Sequence, residues 1–547
     1  MATGDHPRNG GQALVAALKD HGVDTVFGIP GAHTLAIYDA LLDEPDIHSV
    51  VSRNEGGAGY MADGYARASG KPGVAITITG PGAINALTAV GGAYSDSSPL
   101  LVISSQIPST HLGAGQGYLH EMRDQLGAFD AATDWTARAN GVSEIAPAID
   151  AALHHFRDGR PTPAYLEIPL DVLDDPGRES GAPAQLPARR TVPVVDTAAI
   201  ERAVALLLAA ERPVIYAGWG VISANATAEL AALAEALGAP VATSVKGKGA
   251  IPDDHPLCLG CAWAAEVRAS PALAEADVML AIGTRFTVRT ASWGRVPIAP
   301  TLIHLDVDPI AHDRTVPATV ALTGDARDTL RQLLERIVPA AGNRPRAPRV
   351  WGGYRQEVRA AIDRKLVEQS PFVAETLHAL RESLDRDAIV TNDNCLFCFW
   401  AGRYLPMYEP RTWQFPMQFC TLGWALPAAI GAKVAHPNRQ VVALAGDGGF
   451  MFTCQELVTA ASLGLNLPII VFNDAAYGSV RENQTKRYGG RHSGIALDTP
   501  DFPRLAEACN ARGVRLQHPG ELPAALADAF AADRPTLIEF QVTLQFP

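Results

Sequence analysis

Two carboxylates each close an apolar run. Asp447 follows Val441-Val442-Ala443-Leu444-Ala445-Gly446, and Asp474 follows Leu467-Pro468-Ile469-Ile470-Val471-Phe472-Asn473. Paired hard oxygen ligands of this kind suit Mg²⁺. Gly446, Gly448 and Gly449 let the backbone approach a ligand closely, and a helix start beside them offers N–H groups to an anion. Together they compose a site for a divalent cation and a diphosphate. A third acid, Glu55, follows Val50-Val51-Ser52 and precedes Gly56-Gly57-Ala58-Gly59. A carboxyl partly desolvated in such close packing holds its proton more tightly and can share it with a heteroaromatic nitrogen. The bland alternatives are a Rossmann-like turn without a cofactor and, for Glu55, a helix N-terminal charge favoured by the dipole. The matched second strand weighs against the first.

The elements that must position these groups are legible around them. Both apolar runs are β-branched and short, as buried parallel strands are. Thr453-Cys454-Gln455-Glu456 has the form of a capping box opening a helix to about Gly464. One βαβ unit results, and adjacent strands would bring both acids to the carboxyl edge of the sheet, where open α/β sheets bind ligands. Similar short runs occur at Thr25–Ile29, Val74–Ile78, Leu100–Ser105, Val214–Gly218, Val278–Gly283, Leu302–Val307 and Ala388–Thr391. Pro/Gly-rich stretches at 174–193 and 339–348 divide the chain into 1–175, 190–338 and 350–547. The expected fold class is α/β, with three doubly wound domains and mainly parallel sheets.

At 547 residues the chain is too long for one core. A net charge of −13 without a basic block argues against a nucleic-acid partner. No apolar run is long enough to span a bilayer, and Met1–Arg8 lacks the apolar core of a signal peptide, so a cytoplasmic location is expected. Two Cys-x-x-Cys pairs, Cys258/Cys261 and Cys395/Cys398, sit among apolar residues without a matching His or acidic cluster. They are expected to be small buried hydrophobes and not zinc ligands.

Gly446-Asp447-Gly448 followed by Asn473-Asp474 closely resembles the diphosphate-binding motif of thiamine-diphosphate enzymes. The resemblance implies that Asp447, Asp474 and the Ala476 carbonyl hold Mg²⁺. Asp474 stands where the motif has Asn, which adds a negative charge expected to strengthen metal binding. Arg53–Arg67 resembles the family's catalytic-glutamate segment, which implies that Glu55 exchanges a proton with the cofactor's aminopyrimidine. Thr79–Asn85 is similar to a turn lining the active site, with Gly80 and Asn85 as cofactor contacts. Tyr118–Gln125 places His120 where it would act as a proton donor, with a solvated loop histidine as the alternative. Phe419–Gly431 resembles the segment gripping the pyrimidine, through the Cys420 carbonyl and Leu422. Asn394, Gly446, Gly448, Gly449 and Tyr477 complete the implied cofactor contacts. Pyrimidine, central and diphosphate domains in that order form the architecture of the acetohydroxyacid-synthase and pyruvate-oxidase group.

Departures from the synthases bear on substrate. Cys395-Leu396-Phe397-Cys398 replaces a polar tetrad, Asn483 replaces the tryptophan selecting a second oxo acid, and Val480 replaces the glutamate of pyruvate-type decarboxylases. Gly283-Thr284-Arg285-Phe286 is similar to a flavin segment only at its start, with Thr287-Val288 in place of an acidic pair, so FAD is not expected. Phe27–Thr34, Leu119–Glu121 and Thr421–Gly423 resemble the 5-guanidino-2-oxopentanoate decarboxylase branch most. The resemblance implies non-oxidative decarboxylation of a small 2-oxo acid, with carboligation as a further outcome. An acetolactate-type transferase and an inactive regulatory homologue are the alternatives. It also implies a homodimer, or a tetramer of two dimers, with active sites between subunits.

Overall fold

The computed structural model describes residues 8–178, 186–288, 295–341 and 353–547. Most of the 339–348 linker, part of the 174–193 linker and residues 1–7 lie outside the described residues. The first sheet contains β1 (Thr25–Gly28), β2 (His48–Val51), β3 (Gly73–Thr77), β4 (Leu100–Gln106), β5 (Thr136–Arg138) and β6 (Ala164–Pro169). The second contains β7 (Pro213–Ala217), β8 (Val241–Thr243), β9 (Cys258–Cys261), β10 (Val278–Ile282), β11 (Thr301–Asp306) and β12 (Val320–Thr323). The third contains β13 (Ile389–Asn392), β14 (Trp413–Gln414), β15 (Val441–Gly446), β16 (Pro468–Asn473), β17 (Arg512–Leu516) and β18 (Thr536–Gln541). All pairings within them are parallel. Such sheets are covered on both faces, so their central strands read as unbroken apolar runs.

The first and third sheets share one winding, β2-β1-β3-β4-β6-β5 and β14-β13-β15-β16-β18-β17. The middle sheet runs β12-β11-β10-β7-β8-β9. Strand order therefore reverses between β1 and β3, between β7 and β10, and between β13 and β15. Reversal splays the connections to opposite faces and opens a crevice at the carboxyl edge.

Domains one and three are fused by packing. The helix Glu55–Ser69 lies on the helix Ala425–Ala435, and Tyr60, Met61 and Tyr65 share a buried cluster with Trp424, Leu426 and Ile430. The backbones nearly touch: a Cβ on Gly431 would lie 1.9 Å from the Met61 carbonyl oxygen. Within this contact Arg67 is buried. It pairs with Asp63 at 2.8 Å and Asp96 at 3.0 Å, donates to the Phe415 carbonyl, and lies 4.8 Å from the Trp424 ring centroid. Lys246 of the central domain reaches Asp96 at 3.2 Å, so one ionic cluster ties all three domains. Burial opposes ionisation of Asp96, but Lys246 and Arg67 together hold its carboxyl below the usual range.

Arg67→Ala would leave Asp63 without its cation and Asp96 with Lys246 alone. The expected loss is roughly 3–5 kcal/mol, because breaking a buried pair leaves an unpaired charge. A denaturant midpoint equal to that of wild type would show that this cluster does not hold the domains together.

Candidate active site

At the switch point between β13 and β15 lies a cavity of about 260 Å³. All ten residues predicted for the third domain line it: Asn394, Cys420, Leu422, Gly446, Asp447, Gly448, Gly449, Asp474, Ala476 and Tyr477. β15 and β16 are neighbours, with Gly446 opposite Phe472, so Asp447 and Asp474 leave the sheet side by side. The Asp447 carboxylate accepts the Gly448 amide at 2.8 Å and the Ala476 amide at 3.2 Å. Burial pushes its carboxyl up to about 6; Asp474 adds to that effect and the two amides oppose it. No Lys or Arg lines the cavity among the described residues.

Asp474 is placed differently from expectation in one respect. Arg481, in the first turn of the helix Gly478–Tyr488, pairs with it at 2.7 Å. The extra negative charge relative to Asn is thus largely answered by a neighbouring cation. Burial nevertheless raises the Asp474 carboxyl, with Arg481 opposing.

Around Leu422, the Asn394 side-chain amide donates to the Cys420 carbonyl at 3.3 Å, while Thr421 and the Tyr60 hydroxyl of the first domain are hydrogen bonded at 2.6 Å. Asp393, which the sequence reading passed over, braces the same turn. Its buried carboxylate accepts the Gly423 amide at 3.0 Å and the Asn394 amide at 2.7 Å. Burial pushes it up to about 6, with those amides opposing. Its signal was present as an acid directly after an apolar strand, the same pattern that marks Asp447.

A carboxyl raised this way contributes stability that is complete below its unfolded pKa near ~4 and lost as pH rises through about 6. The contribution is on the order of 3 kcal/mol. Relative to Asp393→Asn, wild type is therefore expected to lose thermal stability between about pH 4 and 6. Parallel pH profiles of the two unfolding midpoints would reject this.

The first-domain residues form a separate group. Glu55 opens the helix Glu55–Ser69, is half-buried, and accepts a hydrogen bond from the Asn85 side chain at 2.9 Å. Gly80 precedes the helix Pro81–Asp96 with φ of 67°, where a Cβ would strike the His120 carbonyl. Its amide is not free, since it donates to Gln125 at 2.6 Å. Gln125 is buried and in turn donates to Tyr165 and Glu167. His120 lies over Gly80 and meets His33 edge-on, ring centroids 5.4 Å apart. His33 accompanies it unforeseen: it hydrogen bonds Thr79 at 3.0 Å, and burial, then His120, lowers its basicity. The structure brings Glu55, Gly80, Asn85 and His120 to one sheet edge. None of them lines the 260 Å³ cavity of the same chain.

Two local expectations need correction. Thr453 and Glu456 form no capping box. A separate helix opens at Asp447 and ends at Met451, and the next spans Glu456–Ser462 without a side-chain cap. Thr453 donates instead to the Gly423 carbonyl, and Glu456 accepts the Arg53 amide across the domain contact. Long-range partners outbid the local motif. Of the cysteines, Cys258, Cys261 and Cys398 are buried as expected, but Cys395 lines the cavity, with its sulfur 3.1 Å from that of Cys398.

A second cavity, about 550 Å³, occupies the switch point of the middle sheet. Trp219, Gly283, Thr284 and Arg285 border it together with Lys71 and Arg160 of the first domain. No helix among the described residues is long and apolar enough to cross a membrane.

Comparison with known proteins covers the whole arrangement. Residues 8–128 match the thiamine pyrophosphate enzyme N-terminal TPP binding domain, 200–333 the central domain and 375–540 the C-terminal TPP binding domain. The chain is 41% identical to a probable 2-ketoarginine decarboxylase of Pseudomonas aeruginosa, over 97% of this chain and 93% of that protein. It is 34% identical to a probable acetolactate synthase large subunit of Methanocaldococcus jannaschii, over 97% and 92% respectively. It is 36% identical to the acetolactate synthase large subunit of Corynebacterium glutamicum, over 97% and 86%.

Proposed function

Because the chain belongs to the thiamine pyrophosphate enzymes through all three of its domains, we propose that it holds thiamine diphosphate with Mg²⁺ and decarboxylates a 2-oxo acid without oxidation. The product leaves as an aldehyde or is joined to a second carbonyl compound. One observation carries the metal: a diphosphate entering the 260 Å³ cavity meets two carboxylates and no cationic side chain lining it. Like charges so placed require a divalent cation between them, and Asp447, Asp474 and the Ala476 carbonyl are the hard donors at hand. The donor set therefore fits the group.

Gly446, Gly448, Gly449, Asn394 and Tyr477 would enclose the diphosphate, and Cys420 and Leu422 would face the pyrimidine. When bound, the cofactor supplies a carbon nucleophile and an electron sink for loss of CO₂. The protein's own part is proton handling and alignment. Glu55, steered by Asn85, holds the proton exchanged with the pyrimidine nitrogen, and His120 donates a proton on the substrate side.

Within one chain Glu55 does not line the cavity that holds Asp447, which supports a reading in which two chains face each other to complete a site. The functional unit in this reading is a homodimer, or a tetramer of two such dimers, acting in the cytoplasm. The acetolactate-type outcome is supported by relatives at 34–36% identity, and the decarboxylase outcome by the one at 41%. Incubating purified holoenzyme with pyruvate and longer 2-oxo acids separates them. Aldehyde with CO₂ is expected; a branched hydroxy-oxo acid as the sole product would replace this reading with the synthase one.

A further inference from the structure

A third cavity, about 660 Å³, adjoins the cofactor cavity and shares Asn394 and Ser479 with it. Its walls carry Arg268, Arg295, Lys365, Arg403, Lys486 and Arg487, and no carboxylate side chain lines it among the described residues. Two helices run from one cavity into the other. Leu396–Tyr404 begins at the cofactor cavity and presents Phe399 and Arg403, four residues apart, to the basic one. Gly478–Tyr488 does the same with Ser479, Asn483, Lys486 and Arg487, which share one helical face. At 1.5 Å per residue, the outer cations stand roughly 10–14 Å along these helices from their cofactor ends.

Most of this charge has no internal answer. Lys365 pairs with Glu266 at 3.0 Å, and Lys486 has Glu482 at 3.9 Å. Arg403 stacks 4.0 Å from the Trp263 ring centroid and donates to the Phe399 carbonyl. Arg268 donates to the carbonyls of Ala262 and Trp263. Among the described residues no ion pair forms to Arg268, Arg295, Arg403 or Arg487. Burial lowers Arg403 to about 10, with Arg268 adding to that effect and nearby groups including Glu266 only partly opposing it, as for a cation kept from water without a direct ion pair. Charges held at that cost are expected where an anion arrives.

We propose that this cavity recognises an anionic group at the far end of the 2-oxo acid, a second carboxylate or a phosphonate, making the substrate at least a dianion. A guanidinium tail of the 2-ketoarginine type would be repelled there. The inference rests on the decarboxylase reading for its chemistry and names the substrate class of the same site.

The test compares 2-oxoadipate, 2-oxohexanoate and 5-guanidino-2-oxopentanoate as substrates of the holoenzyme. The first two differ only by a terminal carboxylate in place of a methyl group. Charge attraction predicts a kcat/KM about tenfold or more in favour of 2-oxoadipate at low ionic strength, shrinking as salt rises. Arg487 is exposed, so Arg487→Gln should fold normally and reduce that ratio, chiefly through KM. A ratio near one, a ratio indifferent to salt and to Arg487→Gln, or a preference for the guanidino acid would overturn the proposal while leaving decarboxylation intact. If no 2-oxo acid releases CO₂, the functional reading fails instead. Calorimetric binding of adipate against hexanoate then decides the anion site, and equal affinities in wild type would refute it.

Discussion

Glu55→Gln is expected to slow CO₂ release by about 10²–10⁴-fold, the usual worth of a positioned acid–base group. The change is nearly isosteric: the side-chain oxygen still accepts from Asn85, as Glu55 does at 2.9 Å, and the helix start is kept. What disappears is the exchangeable proton. Cofactor affinity should stay near that of wild type, because Glu55 does not line the cavity proposed to anchor the diphosphate. Hydrogen–deuterium exchange at the thiazolium carbon, followed by NMR, reads the step directly. Exchange at the wild-type rate would dismiss Glu55 as the activating acid.

Asp447→Ala should do the opposite, abolishing measurable binding of thiamine diphosphate with Mg²⁺. Asp474 already shares its charge with Arg481 at 2.7 Å, so Asp447 is the carboxylate of the pair without a cationic side chain. Its loss should remove roughly 3–5 kcal/mol of ligand interaction, as when one member of a desolvated charge pair is deleted. Calorimetric titration at wild-type affinity would sink the assignment. The two variants also test how sites are assembled. After subunit exchange, a mixed dimer carries both lesions in one site and neither in the other. Equal mixing should therefore restore about a quarter of the wild-type sites in a symmetric dimer. Verified heterodimers without any recovery would place each site within one chain.

What could be read from the sequence was what is local and apolar. β15 and β16 were visible because both faces of a parallel strand are buried, and their closing acids follow from that alone. The short edge strand β14 has only two residues, and β17 and β18 are interrupted by Arg515 and Glu539, so all three escaped notice. Thr453 and Glu456 misled because their partners, Gly423 and Arg53, are distant in the chain. The basic cavity was invisible for the same reason: its cations are scattered from Arg268 to Arg487 and no single stretch is basic. His33 lay within a segment read for its resemblance, and only the fold sets it against His120.

The shared core of the outer domains bears on how the chain is made. Tyr60, Met61 and Tyr65 are covered by Trp424, Leu426 and Ile430, which leave the ribosome about 350 residues later. At typical elongation rates that interval lasts about 20 to 70 s. During it, the N-terminal domain carries an apolar helix face whose covering helix is still unsynthesised, and Arg67, paired with Asp63 and Asp96, still lacks the Phe415 carbonyl and the Trp424 ring. A nascent chain in this condition is a client for holding chaperones, and faster translation, which shortens the wait, should raise the yield of folded protein.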